Sequence, residues 1–226
     1  MSYSLDNIRN SELKPDDLFE FVCDGCGNCC RKRSTPIAIT GADLFIIAQK
    51  QGMTPQEVAE KYTEMEIGKN SRMPVLYLQE RLDGSCKFLR TGRCTIQEYK
   101  PAVCALFPLG RYYDPGDERI HYISTMEGSC SSAPGKKGQT VQDWVDSFHL
   151  VETDDMFKAW SKLICGLAVI MMNVNKESVK GAILQWLMTV LYFGYDTSKP
   201  FVPQVEAHIA LIKDAGKEVL NQNFEF

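Results

Sequence analysis

The chain has 226 residues, is 44% hydrophobic and 24% charged, and carries a formal net charge of -4. This is an ordinary globular composition with room for one domain or two small ones, so its nine cysteines are not needed to rescue an undersized core. The acidic balance argues against nucleic acid as a partner, because phosphate contacts want a basic surface; the runs Arg31-Lys32-Arg33 and Lys136-Lys137 are short and read as solvated surface.

The opening residues, MSYSLDNIRNSELKPDD, are polar and lack the apolar core of a signal peptide. The expected compartment is therefore the reducing cytoplasm, where clustered cysteines point to metal or redox chemistry rather than to a disulfide framework. The stretch CDGCGNCC follows, with Cys23, Cys26, Cys29 and Cys30. TGADLFIIAQKQG predicts a helix that starts at Thr40 and stops at Gly52. In TPQEVAEKYTEM, Thr54 is the expected N-cap, Pro55 occupies the first helical position and Glu57 completes a capping box. MPVLYLQE alternates as a strand, with Val75, Tyr77 and Gln79 on one side.

Turn signals at Asp83-Gly84 and Thr91-Gly92 predict a short hairpin system carrying Cys86 and Cys94. A second hairpin is expected around Asp114-Pro115-Gly116-Asp117. From Thr140 the period becomes helical, with Thr140 as N-cap, Asp143 at the capping-box position and four helices to the end of the chain. The most apolar windows, 163–174 and 182–195, are shorter than the ~18 residues of a membrane helix and read as buried helices, so no membrane association is expected. Trp144, Trp160 and Trp186 are expected in the helical core. The fold class is α+β, mainly α: a turn-rich, cysteine-bearing region with short hairpins over residues 1–135, then a helical region over residues 136–226 packing on it.

Eight cysteines lie between Cys23 and Cys130, and only Cys165 lies beyond. The first four form C-x2-C-x2-C-C, with Gly25 and Gly27 allowing the backbone to wrap between thiols. This matches the first three ligands of a ferredoxin-type loop, whereas a single C-x2-C would also suit zinc. Adjacent side chains usually diverge, so one of Cys29 and Cys30 is expected to face a second site or a neighbouring element. Cys86, Cys94, Cys104 and Cys130 join the first loop only if the later segment folds over it. The candidate ligands are thus Cys23, Cys26, Cys29, Cys30, Cys86, Cys94, Cys104 and Cys130, enough for two four-thiolate sites or for one site with spare thiols. Cys165, in an apolar helix, reads as a small hydrophobe. His121 is a reserve ligand, while His149 and His208 read as structural or surface residues. Asp114, Asp117 and Glu118 read as turn residues. No phosphate loop, H-E-x-x-H or nucleophile elbow is present.

CDGCGNCC together with CKFLRTGRCTIQEYKPAVCALFP resembles the YkgJ-like family, the CxxCxxCC zinc- or iron-chelating proteins. The matching positions are Cys86, Cys94, Ile96, Tyr99, Pro101, Cys104 and Phe107-Pro108. Lys100 stands where the family usually has arginine, and Tyr99 sits late relative to Ile96. The resemblance spans roughly residues 21–130. More distantly, the cysteine cluster is similar to that of flagellin lysine methylases, which are linked to an iron–sulfur cluster; no matching catalytic motif is present in the helical tail, so that activity is not carried over. An all-cysteine set favours an iron–sulfur cluster, [4Fe-4S] in form, over zinc. The expected function is a redox or electron-transfer protein, or a cluster-dependent enzyme acting on another protein, with a redox partner or protein substrate; the alternative is a structural zinc module whose helices bind a partner.

Overall fold

The computed structural model describes residues 11–22, 27–31, 35–125, 137–148, 151–173 and 181–220. The fold is α+β and mainly α, as expected. The chain makes two compact units, each from two segments: Met1–Pro36 with Glu80–Asp154, and Ile37–Gln79 with Asp155–Phe226.

In the first unit, β1 (Glu12–Leu13) pairs with β8 (Arg119–Ser124), and β8 with β7 (Leu109–Asp114), giving an antiparallel sheet in the order β1-β8-β7. The β7–β8 hairpin turns at the expected Asp114-Pro115-Gly116-Asp117. The other expected hairpin is β5 (Leu89–Arg90) with β6 (Arg93–Cys94). Its two central residues, Thr91 and Gly92, both have positive φ, 46° and 81°, as the tight hairpin turn requires. A short helix, α3 (Ala102–Leu106), precedes β7, and α4 (Val141–Asp146) starts at the Thr140–Asp143 capping box.

The core of this unit is aromatic. Phe19, Phe21, Leu106, Leu109, Val141, Trp144 and Val145 are buried together. The Trp144 ring meets Phe21 edge-on at 5.1 Å between centroids, and its indole N–H donates to the Leu106 carbonyl at 2.9 Å. Phe21 lies two residues before Cys23, and Leu106 two residues after Cys104. One side chain from α4 therefore fastens the two cysteine-bearing stretches of the chain.

The second unit holds α1 (Gly41–Gln51), which starts at Thr40 as expected and is opened there by a Thr40–Asp43 capping box, and α2 (Pro55–Tyr62), opened by the expected Thr54–Glu57 box. Its sheet, in the order β2-β4-β3, is antiparallel: β2 (Ala38–Ile39), β4 (Pro74–Leu78) and β3 (Thr63–Ile67). Pro74, Leu76 and Leu78 face inward, leaving Val75 and Tyr77 on the other side, as the alternation predicts. Then come the residues from Asp155 onward of α5 (Val151–Asn173), α6 (Ala182–Met188), a π-helical turn at Thr189–Phe193, and α7 (Phe201–Leu220). Leu44, Ile47, Leu76, Leu163, Leu167, Leu187 and Tyr192 are fully buried there. Trp160 donates to the Leu191 carbonyl at 2.9 Å, close over Gly41, where a β-carbon would collide with that carbonyl and with the indole.

Trp144 and Trp160 are core residues, but Trp186 is not: it is 37% exposed. Leu187, Val190 and Leu191 define the buried stripe of α6 and the π turn, and Trp186 lies one residue off that stripe, about 100° round the helix from Leu187. Among the described residues, no helix is long and apolar enough to cross a membrane.

The two contributions of Trp144 can be separated. Trp144→Phe keeps most of the packing and strands the Leu106 carbonyl, and should cost about 1 kcal/mol. Trp144→Ala also empties the core and should cost about 3–5 kcal/mol. Denaturant unfolding of both variants checks the order.

Candidate metal centre

The first cysteine loop enters the described residues at Gly27, whose φ of 71° reverses the chain into a 3-10 turn at Asn28–Cys30. Cys29 and Cys30 ride on that turn. Their sulfurs lie 4.0 Å apart. The expectation that the adjacent thiols diverge is therefore not met: the tight turn brings the two side chains together. Cys23, Cys26 and Cys130 lie outside the described residues.

Three further thiols are brought to the same region. The Cys86 N–H donates to the Cys30 carbonyl at 2.8 Å, tying the later segment directly to the first loop. Cys86 sits at the end of a small loop in which Arg81 N–H bonds the Ser85 carbonyl and Ser85 N–H bonds the Asp83 carboxylate. Cys94 closes the β5–β6 hairpin, opposite Leu89. Cys104 is presented by α3, its N–H bonded to the Pro101 carbonyl at 2.8 Å. Cys86 is buried, Cys30, Cys94 and Cys104 are half-buried, and Cys29 is exposed. None is in a disulfide. Cys165 belongs to the second unit.

The thiols sense one another. Cys29 is pushed up, first by its hydrogen bond to Cys30 and then by burial. Cys30 is pulled down by that same bond, against burial and the neighbouring charges of Cys104, Cys94 and Cys86. The proton is therefore held more tightly at Cys29 than at Cys30. Cys94 is raised mainly by burial. Lys100 lowers both Cys29 and Cys94, and its amino group lies 5.7 Å above the Phe148 ring. The residue that departs from the family's arginine still supplies a cation beside the thiols. Among the described residues, no three of these sulfurs lie within 4.8 Å of one another.

The reserve ligand, His121, is engaged elsewhere. Its Nδ1 lies 2.6 Å from Glu12 Oε1 and its Nε2 lies 2.9 Å from Asp117 Oδ2. Asp114, the third member of this cluster, accepts the Gly116 N–H as a turn residue does. Glu12 is in β1, so His121 pins the first strand to the hairpin. His208 bonds the Val190 carbonyl in the second unit and is pushed down by burial, in keeping with a structural role. His149 lies outside the described residues.

Sequence reasoning did not find Trp144 as the residue that holds Leu106 and Phe21 together. Neither did it find the arginines beside the thiols, Arg31 and Arg81, which share a cleft with Ser85 and Leu89. No short-range pattern marks either, because both depend on contacts between distant segments.

A family model matches residues 22–131: CxxCxxCC, described as a putative zinc- or iron-chelating domain. No curated protein matches the chain, and neither does any solved structure.

Two measurements follow from these electrostatics. In metal-free protein iodoacetamide should alkylate Cys30 before Cys29, since the thiolate is the nucleophile and Cys30 is the thiol that is pulled down while Cys29 is pushed up; mass spectrometry of tryptic peptides reads the order, and Cys29 reacting first would overturn it. His121 is raised first by its hydrogen bond to Glu12, against burial, with Asp117 adding to the rise. Its stabilising contribution is complete below the unfolded value of about 6.5 and is lost as pH rises through the higher folded value. Wild-type stability should therefore fall across that window more than that of His121→Gln, measured by denaturant unfolding at a series of pH values.

Proposed function

We propose that the cysteines of this chain, whose residues 22–131 match the CxxCxxCC family model of zinc- or iron-chelating domains, hold an iron–sulfur cluster used in electron transfer or in modifying another protein. The observation that carries the reading is the donor set. Cys29, Cys30, Cys86, Cys94 and Cys104 belong to one unit, linked by the Cys86–Cys30 backbone bond and by mutual electrostatic influence. They are all thiols, and five exceed the four that a tetrahedral zinc takes. With Cys23, Cys26 and Cys130 they make eight, and the ferredoxin-like C-x2-C-x2-C spacing supports [4Fe-4S]. The ligands proposed are these eight, with at least one of Cys86, Cys94 and Cys104 sharing a site with the first loop.

When bound, such a cluster supplies one-electron transfer. The chain's part is to hold the thiolates in place and to tune them. The 3-10 turn, the β5–β6 hairpin and α3 give four of the ligand positions, Cys29, Cys30, Cys94 and Cys104, short, restrained backbones. Burial of Cys86 limits water at one side, and Lys100 offsets part of the thiolate charge. A redox partner or a protein substrate, in the cytoplasm, completes the proposal.

Anaerobic purification followed by iron, sulfide and zinc analysis tests it. The expected sample is brown, contains iron and acid-labile sulfide, and bleaches with reductant. A colourless sample with stoichiometric zinc establishes the structural zinc module instead. In the same series Cys104→Ala should lose metal and destabilise the protein, because metal binding contributes folding free energy. Cys165→Ala should keep the metal and cost on the order of 1 kcal/mol in packing. The opposite pattern would overturn the ligand assignment.

A further inference from the structure

The β7–β8 hairpin carries a second set of donor groups, one that shares no residue with the cysteines. Among the described residues, Asp114 at the end of β7, Asp117 in the turn and His121 in β8 each put one donor atom within 4.8 Å of the others. We propose that this cluster binds a divalent first-row transition-metal ion, held by the His121 imidazole and the carboxylates of Asp114 and Asp117, with its remaining positions open to water.

The histidine separates this cluster from an ordinary acidic turn. Its Nδ1 is held 2.6 Å from Oε1 of Glu12, on a different strand. Nε2 is thereby the nitrogen that points at the aspartates, 2.9 Å from Asp117 Oδ2 and 3.2 Å from Oδ1. A metal-bound histidine characteristically gives its other ring nitrogen to a carboxylate in this way, which fixes the ring and makes it a better ligand. The ring is held on its face as well. Tyr112, its cross-strand partner, stacks on it at 5.2 Å with 19° between the planes, and the Tyr112 hydroxyl donates to Glu12 Oε2 at 3.2 Å. Asp114 is fixed by the Gly116 N–H, which donates to its Oδ1 at 2.7 Å; a β-carbon at Gly116 would stand 3.1 Å from that oxygen. Three carboxylates, Glu12, Asp114 and Asp117, thus surround one imidazole, offset in part by the Arg119 guanidinium. Donors to one ion, with bonds of about 2.1 Å, lie within about 4.2 Å of one another. Rotation of the exposed Asp117 side chain makes that closure. One imidazole with two carboxylates suits a transition metal, whereas calcium and magnesium take oxygen donors alone.

Full-length protein, purified anaerobically, is titrated with MnCl2 at pH 8 and low ionic strength, and free Mn2+ is read from its room-temperature EPR signal. Manganese is the probe because thiolates suit softer metals. Saturable uptake at one site per chain is expected, and excess Ca2+ should displace little of it. His121→Gln and Asp117→Asn should each weaken uptake at least about tenfold. Asp117→Asn leaves the Glu12–His121 contact in place, so its loss of binding cannot come from releasing β1. Glu12→Ala frees the ring and should also weaken uptake about tenfold, and Glu12→Gln, which keeps an acceptor for Nδ1, should weaken it less. Asp196→Asn makes the same charge change in a turn of the second unit and should leave uptake unchanged. Iron, sulfide and zinc are measured on the same samples, so a change at the cysteines is seen separately. No saturable uptake, uptake that Ca2+ displaces as readily as Mn2+ itself, or uptake unchanged in His121→Gln, overturns the site.

Discussion

The packing of Trp144 on Phe21, with its N–H on the Leu106 carbonyl, is the constraint on which the cysteine-bearing unit depends. Thiols gathered in one place are poor sources of folding energy: once ionised they repel, and burial penalises them. The energy that assembles them without metal has to come from beside them. Seven buried residues, three of them aromatic, supply it. Because Trp144 touches the chain just before the first loop and just after Cys104, apolar burial is spent at the two points where it orders thiols. The Leu18–Thr140 bridge and the Phe19 N–H to Gln139 carbonyl bond extend the same seam through the backbone.

Electrostatics then tune what packing assembles. The contact between Cys29 and Cys30, with sulfurs 4.0 Å apart, pushes the first thiol up and pulls the second down. Lys100, bracketed by the Phe148 ring, answers Cys29 and Cys94 from the side. Phe148 itself packs on the Trp144 core at 4.8 Å, so the cation is positioned by the same aromatic cluster that orders the thiols. A lysine meets the electrostatic requirement here as a point charge; the fork geometry that an arginine would bring is a separate property.

What was legible in the sequence was local. The capping boxes at Thr40, Thr54 and Thr140 are decided by a hydroxyl and a carboxylate three residues apart, and all three helices begin there. The Thr91-Gly92 and Asp114–Asp117 turns are likewise set by backbone chemistry within four residues. The clustering of four cysteines in eight residues was legible too, and it is the motif within the matched residues 22–131. What was not legible depends on distance. The pairing of β1 with β8 joins Glu12 to Ile123, with only two residues of strand to announce it. The closeness of Cys29 and Cys30 depends on a turn too short to carry a periodic signal. Trp186 shares its composition and its helix with buried neighbours, and only the direction of the packed stripe sets it outside.

The largest distance in the cysteine set is also the one the fold handles most economically. Cys30 and Cys86 are separated by the whole of Ile37–Gln79, which belongs to the other unit. Closing a loop of that length would carry an entropy cost that grows with the logarithm of its length. The inserted segment is closed on itself: Ala38 pairs with Tyr77 and Ile39 with Leu76, and the Leu78 N–H bonds the Ile37 carbonyl at 2.8 Å. Its two ends are thereby held as neighbouring strands. Once that pairing exists, the chain between Cys30 and Cys86 is a short one, residues 31–36 leaving and 80–85 returning, and the Cys86–Cys30 backbone bond closes a small loop rather than a large one. With the sheet β2-β4-β3 in place, residue separation along the chain overstates the entropy cost of bringing the two cysteine groups together.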